Sequence, residues 1–202
     1  MSTMSDFEPG RRQRKKQATR DDLMDHAARL FDERGFDAVT TTDIAEAADV
    51  SQRTFFRHFP SKEAVLYGHA DVLRRRLLDE FANRPGQESV VDSVIAAVRA
   101  MGGYYETHHD ETFLQARLAA DFPAVAAYAR AYVQNDWEHE LTAAIAARMG
   151  IDPLADPRPE ILASAAFAAY RAAVRRWSAG GGRAAFGELL DESLAALATF
   201  PG

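Results

Sequence analysis

The 202-residue chain contains no cysteine. That absence excludes a disulfide framework, a thiolate metal site and a cysteine nucleophile. No apolar run approaches the roughly 18 residues of a membrane span, so no membrane partner is expected. The N-terminus is polar and then basic, without the apolar segment of a secretory signal, and a cytoplasmic location is the expectation. Convincing period-two alternation is missing and β-branched residues are sparse, which argues against strands. The usual catalytic signatures are missing too: no G-x-S-x-G, no P-loop, no H-E-x-x-H. "YETHHDE" (105–111) gathers His108, His109, Asp110 and Glu111. Neighbours on a helix point about 100° apart, so the group does not converge on a metal. An all-α metal-dependent enzyme is therefore the minor alternative, and no cofactor is expected. "AGGGR" (179–183) follows a helical pattern and reads as a flexible loop.

What is present is a globular composition, 47% hydrophobic, with a net charge of −6. The charge is unevenly spread. Residues 1–62 hold eleven basic and eleven acidic side chains, whereas residues 63–202 hold thirteen and nineteen. Within the neutral part, "RRQRKKQATR" (11–20) has six cations and no carboxylate. A solvated tail explains such a run; so does a phosphate-binding arm placed before a compact helical unit.

Helical spacing dominates elsewhere, so the fold is expected to be all-α with about nine helices. Leu23, Ala27, Leu30 and Phe31 form one apolar stripe, with Thr19 and Asp22 as a capping pair and Gly35 as a left-handed stop. A short helix "TTTDIAEAA" follows, capped by Thr40 with Asp43 three residues on. Ser51 then caps "QRTFFRHF", which Pro60 ends. Ser61 opens a long fourth helix expected to run to Pro85. Two helices of about seven residues on a short turn, braced by longer ones, make a helix-turn-helix. The second needs tertiary support, which Phe55 and Phe59, at i and i+4, provide by pointing inward.

"LFDERGFDAVTTTDIAEAADVSQRTFFRHFPSKEAVL" resembles the TetR-type transcriptional repressors, most specifically in its closing "FFRHFPSKEAVL". The glycine usual before Val50-Ser51 is Asp49 here, and aspartate tolerates left-handed geometry better than most residues. Residues 111–199 resemble, more loosely, C-terminal domains of actinobacterial members suspected of sensing fatty acyl-CoA or similar apolar ligands. The resemblance implies three parts: a basic, flexible arm (1–19), a helix-turn-helix DNA-binding domain (20–66) and a helical ligand-binding and dimerisation domain (67–202).

It also implies roles. Gln52, Arg53 and Thr54 would face bases; Phe56 would lie on the sugar-phosphate backbone and His58 on phosphate. Arg57 with Arg53 offers guanidinium forks for a guanine edge or phosphate. Lys62 at a helix N-terminus, and Thr40 and Thr42 opening the second helix, are further phosphate candidates, although capping alone also explains the threonines and a core ring explains Phe56. Arg11, Arg12, Arg14, Lys15 and Lys16 would follow the backbone or enter a minor groove.

The effector is expected to be small and apolar, bound among Tyr104, Tyr105, Phe113, Phe122, Tyr128, Tyr132, Trp137, Phe167, Tyr170 and Trp177, although rings at helical spacing are more often core. Arg117 and Arg171, with Arg175, lie in otherwise apolar helices and could meet an anionic group, although surface salt bridges explain them as well. Two alanine- and leucine-rich helices, through Ala165, Ala168, Ala169, Ala172, Leu190, Leu194 and Leu197, would form a homodimer's four-helix interface, although ordinary core of a monomer explains both helices too. The implied function is a dimeric repressor released from a pseudo-palindromic operator by its effector. The other alternative is an architectural DNA-binding protein without an effector.

Overall fold

The computed structural model describes residues 10–197, with the side chain of Tyr132 outside that description. Among the described residues there is no strand. The chain divides into two compact units, up to Gly68 and from His69 onward.

The first unit holds α1 (Arg11–Arg34), α2 (Thr41–Ala47), α3 (Gln52–His58) and α4 (Lys62–Leu66). The expected flexible arm is instead the first third of α1, insofar as it is described. Arginine, lysine, glutamine and alanine are good helix formers, and Gln17 donates to Asp21 one turn on at 2.7 Å. Thr19 therefore caps nothing; its hydroxyl donates back to the Lys15 carbonyl at 3.1 Å. Leu23, Met24, Ala27, Leu30 and Phe31 form the buried stripe. The helix stops at Gly35, with φ 80° and ψ 154°, a region essentially reserved for glycine rather than the left-handed helical well.

The long fourth helix expected over 62–84 is broken. α4 ends at Leu66 and a new helix, α5 (Ala70–Asn83), starts in the second unit. The break centres on Gly68, where a Cβ would stand 2.2 Å from Met24 Sδ. Its carbonyl accepts from Arg20 Nη2 at 3.2 Å instead of continuing a helix ladder.

The second unit continues through α6 (Val90–Ala100), α7 (Gly102–Thr107), α8 (His109–Asp121) and α9 (Pro123–Tyr128). A π-helical stretch, Ala129–Gln134, leads into α10 (Asn135–Met149), followed by α11 (Arg158–Ala179) and α12 (Phe186–Ala196). α11 is the central helix, packing on α6, α8, α10 and α12. No described helix is long and apolar enough to cross a membrane.

Its core is aromatic. Tyr105 stacks on Phe186 at 3.7 Å, meets Trp177 edge-on at 5.4 Å, and shares a 2.5 Å hydroxyl bond with Tyr170. The triglycine segment is not a loose loop. Gly182 is buried; its N–H donates to the Trp177 carbonyl at 3.0 Å, and its own carbonyl bonds His109 Nε2 at 3.0 Å. The ends of α5 are tied similarly: Arg74 reaches Glu140 at 2.7 Å, and Arg148 donates to the carbonyls of Phe81, Arg84 and Pro85.

Candidate nucleic-acid interface and effector cavity

The turn between α2 and α3 is closed by backbone bonds. The Val50 N–H donates to Ala45 at 2.9 Å and that of Asp49 to Glu46 at 3.1 Å. This is the two-bond Schellman ending of a helix, with Asp49 at φ 52° taking the place of glycine. Ser51 accepts from Thr54 N–H at 3.1 Å to start α3. Phe55 and Phe59 are 0% and 1% exposed, whereas Phe56 is 50% exposed. Two buried rings thus hold a seven-residue helix whose outer face carries Gln52, Arg53, Phe56 and Arg57, all exposed.

The other candidates divide. Thr40 is a cap: its hydroxyl accepts from Asp43 N–H at 3.1 Å, and Asp43 accepts from Thr40 N–H at 2.7 Å. The Thr40 hydroxyl, which donates to the Asp43 carboxylate at 2.5 Å, and then the Thr40 N–H hold that carboxyl below its usual range. Thr42 accepts from Gln52 Nε2 at 2.9 Å, joining α2 to α3. Thr54 is half-buried beside Ser51. His58 is half-buried, with Nδ1 enclosed and unbonded. Burial, then Arg57, Arg20 and Lys16, push its imidazole below the ordinary value, which disfavours the charged form that a phosphate would attract. Arg11, Arg12, Arg14, Lys15 and Lys16 are exposed on α1.

Lys62 turns inward. Its ammonium donates to the carbonyls of Phe36 at 2.7 Å and Val39 at 2.9 Å and stands 4.1 Å above the Phe36 ring. A structural lock thus occupies the residue expected to await phosphate. Arg20 is its counterpart, donating to the His58 carbonyl at 2.8 Å and lying 4.2 Å over Phe59.

In the second unit most of the expected ligand rings are core. Tyr104, Tyr105, Trp137, Phe167, Tyr170 and Trp177 are all buried, and burial raises the Tyr170 phenol to about 12. Phe113 packs edge-on against Trp177 at 5.6 Å. Phe122 and Tyr128 are half-buried and line no cavity described for this unit, and the Tyr132 side chain lies outside the described residues. Rings at helical spacing filled the interior instead of enclosing space.

The space lies elsewhere, in a cavity of about 630 Å³. α8 contributes Ala116, Arg117, Ala119, Ala120 and Asp121, and α9 adds Ala126. The π-helical stretch supplies Ala129, Arg130 and Gln134, and α11 supplies Arg171, Val174, Arg175, Ser178 and Ala179. Among the described residues, only Arg117 and Arg171 of the expected effector set line it, with Arg175 from the same helix. Arg130 was missed. So was the π-helical stretch, an irregularity frequent at functional sites for which no residue pattern gave notice.

Of the proposed dimer residues, Leu190 and Leu194 are 0% and 2% exposed and Ala169 is buried. They serve this chain's own α11–α12 packing and are not available to a partner. Ala168 and Leu197 are exposed, and Ala165 and Ala172 half-buried.

Comparison with known proteins fits both units. Residues 23–67 match the model of bacterial regulatory proteins of the tetR family, and residues 88–200 match the MftR C-terminal domain. The regulator TcmR of Streptomyces glaucescens is 35% identical over 176 residues, 84% of this chain and 77% of TcmR. MftR of Mycobacterium tuberculosis, a putative mycofactocin biosynthesis regulator, is 27% identical over 137 residues, 68% of this chain and 69% of MftR. Among solved structures, the TetR-family repressor FadR of Thermus thermophilus, in complex with lauroyl-CoA, superposes with a TM-score of 0.56 at 25% identity. The alignment covers 91% of this chain and 99% of FadR. The chain belongs to the TetR family of bacterial regulatory proteins and carries an MftR-type C-terminal domain. It is a helix-turn-helix transcriptional regulator and not an enzyme.

Proposed function

We propose that the protein is a cytoplasmic, homodimeric repressor that binds a pseudo-palindromic operator and is released by a small effector in its second unit. The observation that carries the DNA reading is the outer face of α3. Gln52, Arg53, Phe56 and Arg57 project from a helix anchored by two buried rings, the arrangement a major-groove reader requires. Phe56 has no donor, so it suits apolar contact with sugar or a thymine methyl. The basic start of α1 follows the phosphate backbone rather than entering a minor groove, because a helix about 10–12 Å across does not fit a groove about 6 Å wide.

A twofold dimer places two recognition helices about 34 Å apart. Ala165, Ala168, Ala172 and Leu197, with Ile161 at 62% exposure, supply the outward side of α11 and α12 for that contact. Effector binding needs only to favour a state in which this spacing is lost. The FadR complex with lauroyl-CoA supports an effector with an apolar body.

The test is a gel shift with DNA from the protein's own promoter region. Arg53→Ala and Arg57→Ala, folded as judged by circular dichroism, are expected to lose the shift. Retention of sequence-specific binding by the double variant would refute the assignment of α3.

A further inference from the structure

Gln52 is the first residue of α3, and it is exposed. A recognition helix contacts base edges with residues from this end. The head of the side chain is not free to turn. Its Nε2 donates to Thr41 Oγ1 at 3.2 Å and to Thr42 Oγ1 at 2.9 Å, so one nitrogen answers two consecutive threonines of α2. A primary amide has two N–H donors and one carbonyl acceptor. Both donors are thus directed back to α2, and among the described residues nothing donates to Oε1.

The two hydroxyls are themselves held in place. Thr41 and Thr42 open α2 directly behind the Thr40–Asp43 capping box, and the turn into α3 is closed by the Val50–Ala45 backbone bond at 2.9 Å. Phe55, fully buried, anchors α3 from its other side. α2 therefore acts as a bracket for a side chain of α3. A long side chain held this way has little rotamer freedom left to lose on binding.

The consequence is a choice of base. In the major groove adenine N6 and cytosine N4 donate, whereas guanine O6 and thymine O4 accept. An untied glutamine pairs with adenine through both of its groups, the carbonyl to N6 and the amide to N7. Gln52, its nitrogen committed to α2, has only the carbonyl to offer. We propose that Gln52 reads one base as an acceptor alone, taking adenine or cytosine on the contacted strand against guanine and thymine, with Thr41 and Thr42 as the positioning residues that impose this polarity. The inference rests on the reading of α3 as the operator-recognising helix and names the base chemistry of one of its positions.

The test is selection of sites by the full chain from randomised DNA duplexes, followed by competition among single-base-pair variants of the selected site. Gln52→Met keeps the reach of the side chain without the amide. It is expected to erase the preference at one base pair of each half-site and so to mark the position. There the wild type should bind adenine and cytosine within about twofold of each other and about fivefold more tightly than guanine or thymine, the worth of one hydrogen bond. Thr41→Val with Thr42→Val keeps the branched side chains and the capping box but releases the amide. Adenine should then gain about fivefold over cytosine, because the freed head reaches N6 and N7 together. Thr41→Ser with Thr42→Ser, which keeps both hydroxyls, should retain the wild-type pattern. Four results would each overturn the proposal: no position marked by Gln52→Met, guanine or thymine preferred at the marked one, adenine already favoured over cytosine in the wild type, or a valine variant with the wild-type pattern. Specific binding with any of these failures defeats this inference alone. Absence of sequence preference anywhere in the site defeats the repressor reading and this inference with it.

Discussion

Arg20 reaches 38 positions along the chain to donate to the carbonyl of His58 at 2.8 Å. The same guanidinium holds Gly68 at 3.2 Å and covers the Phe59 ring at 4.2 Å. One side chain thus ties α1 to the end of the recognition helix and to the turn that closes the first unit. Arg20→Ala is expected to cost about 2 kcal/mol, because it removes charged hydrogen bonds and the cation's place over a ring. Arg20→Lys should recover only part, since an ammonium lacks the fork. Urea midpoints of the two variants check this, and equal midpoints for wild type and Arg20→Ala would rule the clamp out.

Asp49 occupies left-handed backbone at φ 52°. Glycine carries no Cβ penalty there, so Asp49→Gly should raise stability by up to about 1 kcal/mol, and Asp49→Ala should lower it. Thermal midpoints of the two variants must move in opposite directions.

The Tyr105–Tyr170 bond is buried, which makes its removal asymmetric. Tyr105→Phe leaves the Tyr170 hydroxyl enclosed without that partner and should cost about 1–3 kcal/mol. Removing both hydroxyls should cost less than the sum of the single changes. A double-mutant cycle by denaturation measures the coupling, and strict additivity would contradict it.

The basic start of α1 adds affinity without sequence preference. Arg12→Ala with Lys16→Ala should reduce the slope of log K against log salt by about 0.9 for each phosphate that is no longer neutralised. The ranking of operator variants should stay as it is. A changed ranking would mean that these residues read bases.

Two histidines respond to mild acid in opposite senses. His58 has its value lowered, first by burial and then by Arg57, Arg20 and Lys16. Its stabilising contribution is present above about 6.5 and lost as pH falls through the lowered value. His109 has its value raised, first by the Gly182 carbonyl and then by Asp110. Its contribution is present below about 6.5 and lost as pH rises through the raised value. His58→Gln should therefore flatten the acid-side loss of stability, and His109→Gln the alkaline-side loss. Melting curves from pH 5 to 8 decide both.

The helix-turn-helix was legible because its signals are local. Ser51 caps three residues ahead, and Phe55 and Phe59 fall one turn apart on a helix too short to stand alone. The inward turn of Lys62 and Arg20 was not legible, because nothing in a run of charges says which carbonyls lie 26 or 38 positions away. The broken fourth helix depended on Met24 occupying the space beside Gly68, an approach that spans α1 and the end of the unit. The cavity escaped the pattern because alanines, not rings, mark it. A search for aromatic side chains finds the solid core instead.

The inward lock of Lys62 has a consequence for chemical labelling. The sequence holds three lysines, Lys15, Lys16 and Lys62. Of these only the first two are exposed, while Lys62 spends its ammonium on two carbonyls. An acylating reagent, or an acetyl-transferring enzyme, therefore finds its open side-chain targets only on the first turns of α1. Modification there removes two positive charges from the surface proposed to follow DNA and leaves every side chain of the cavity chemically untouched.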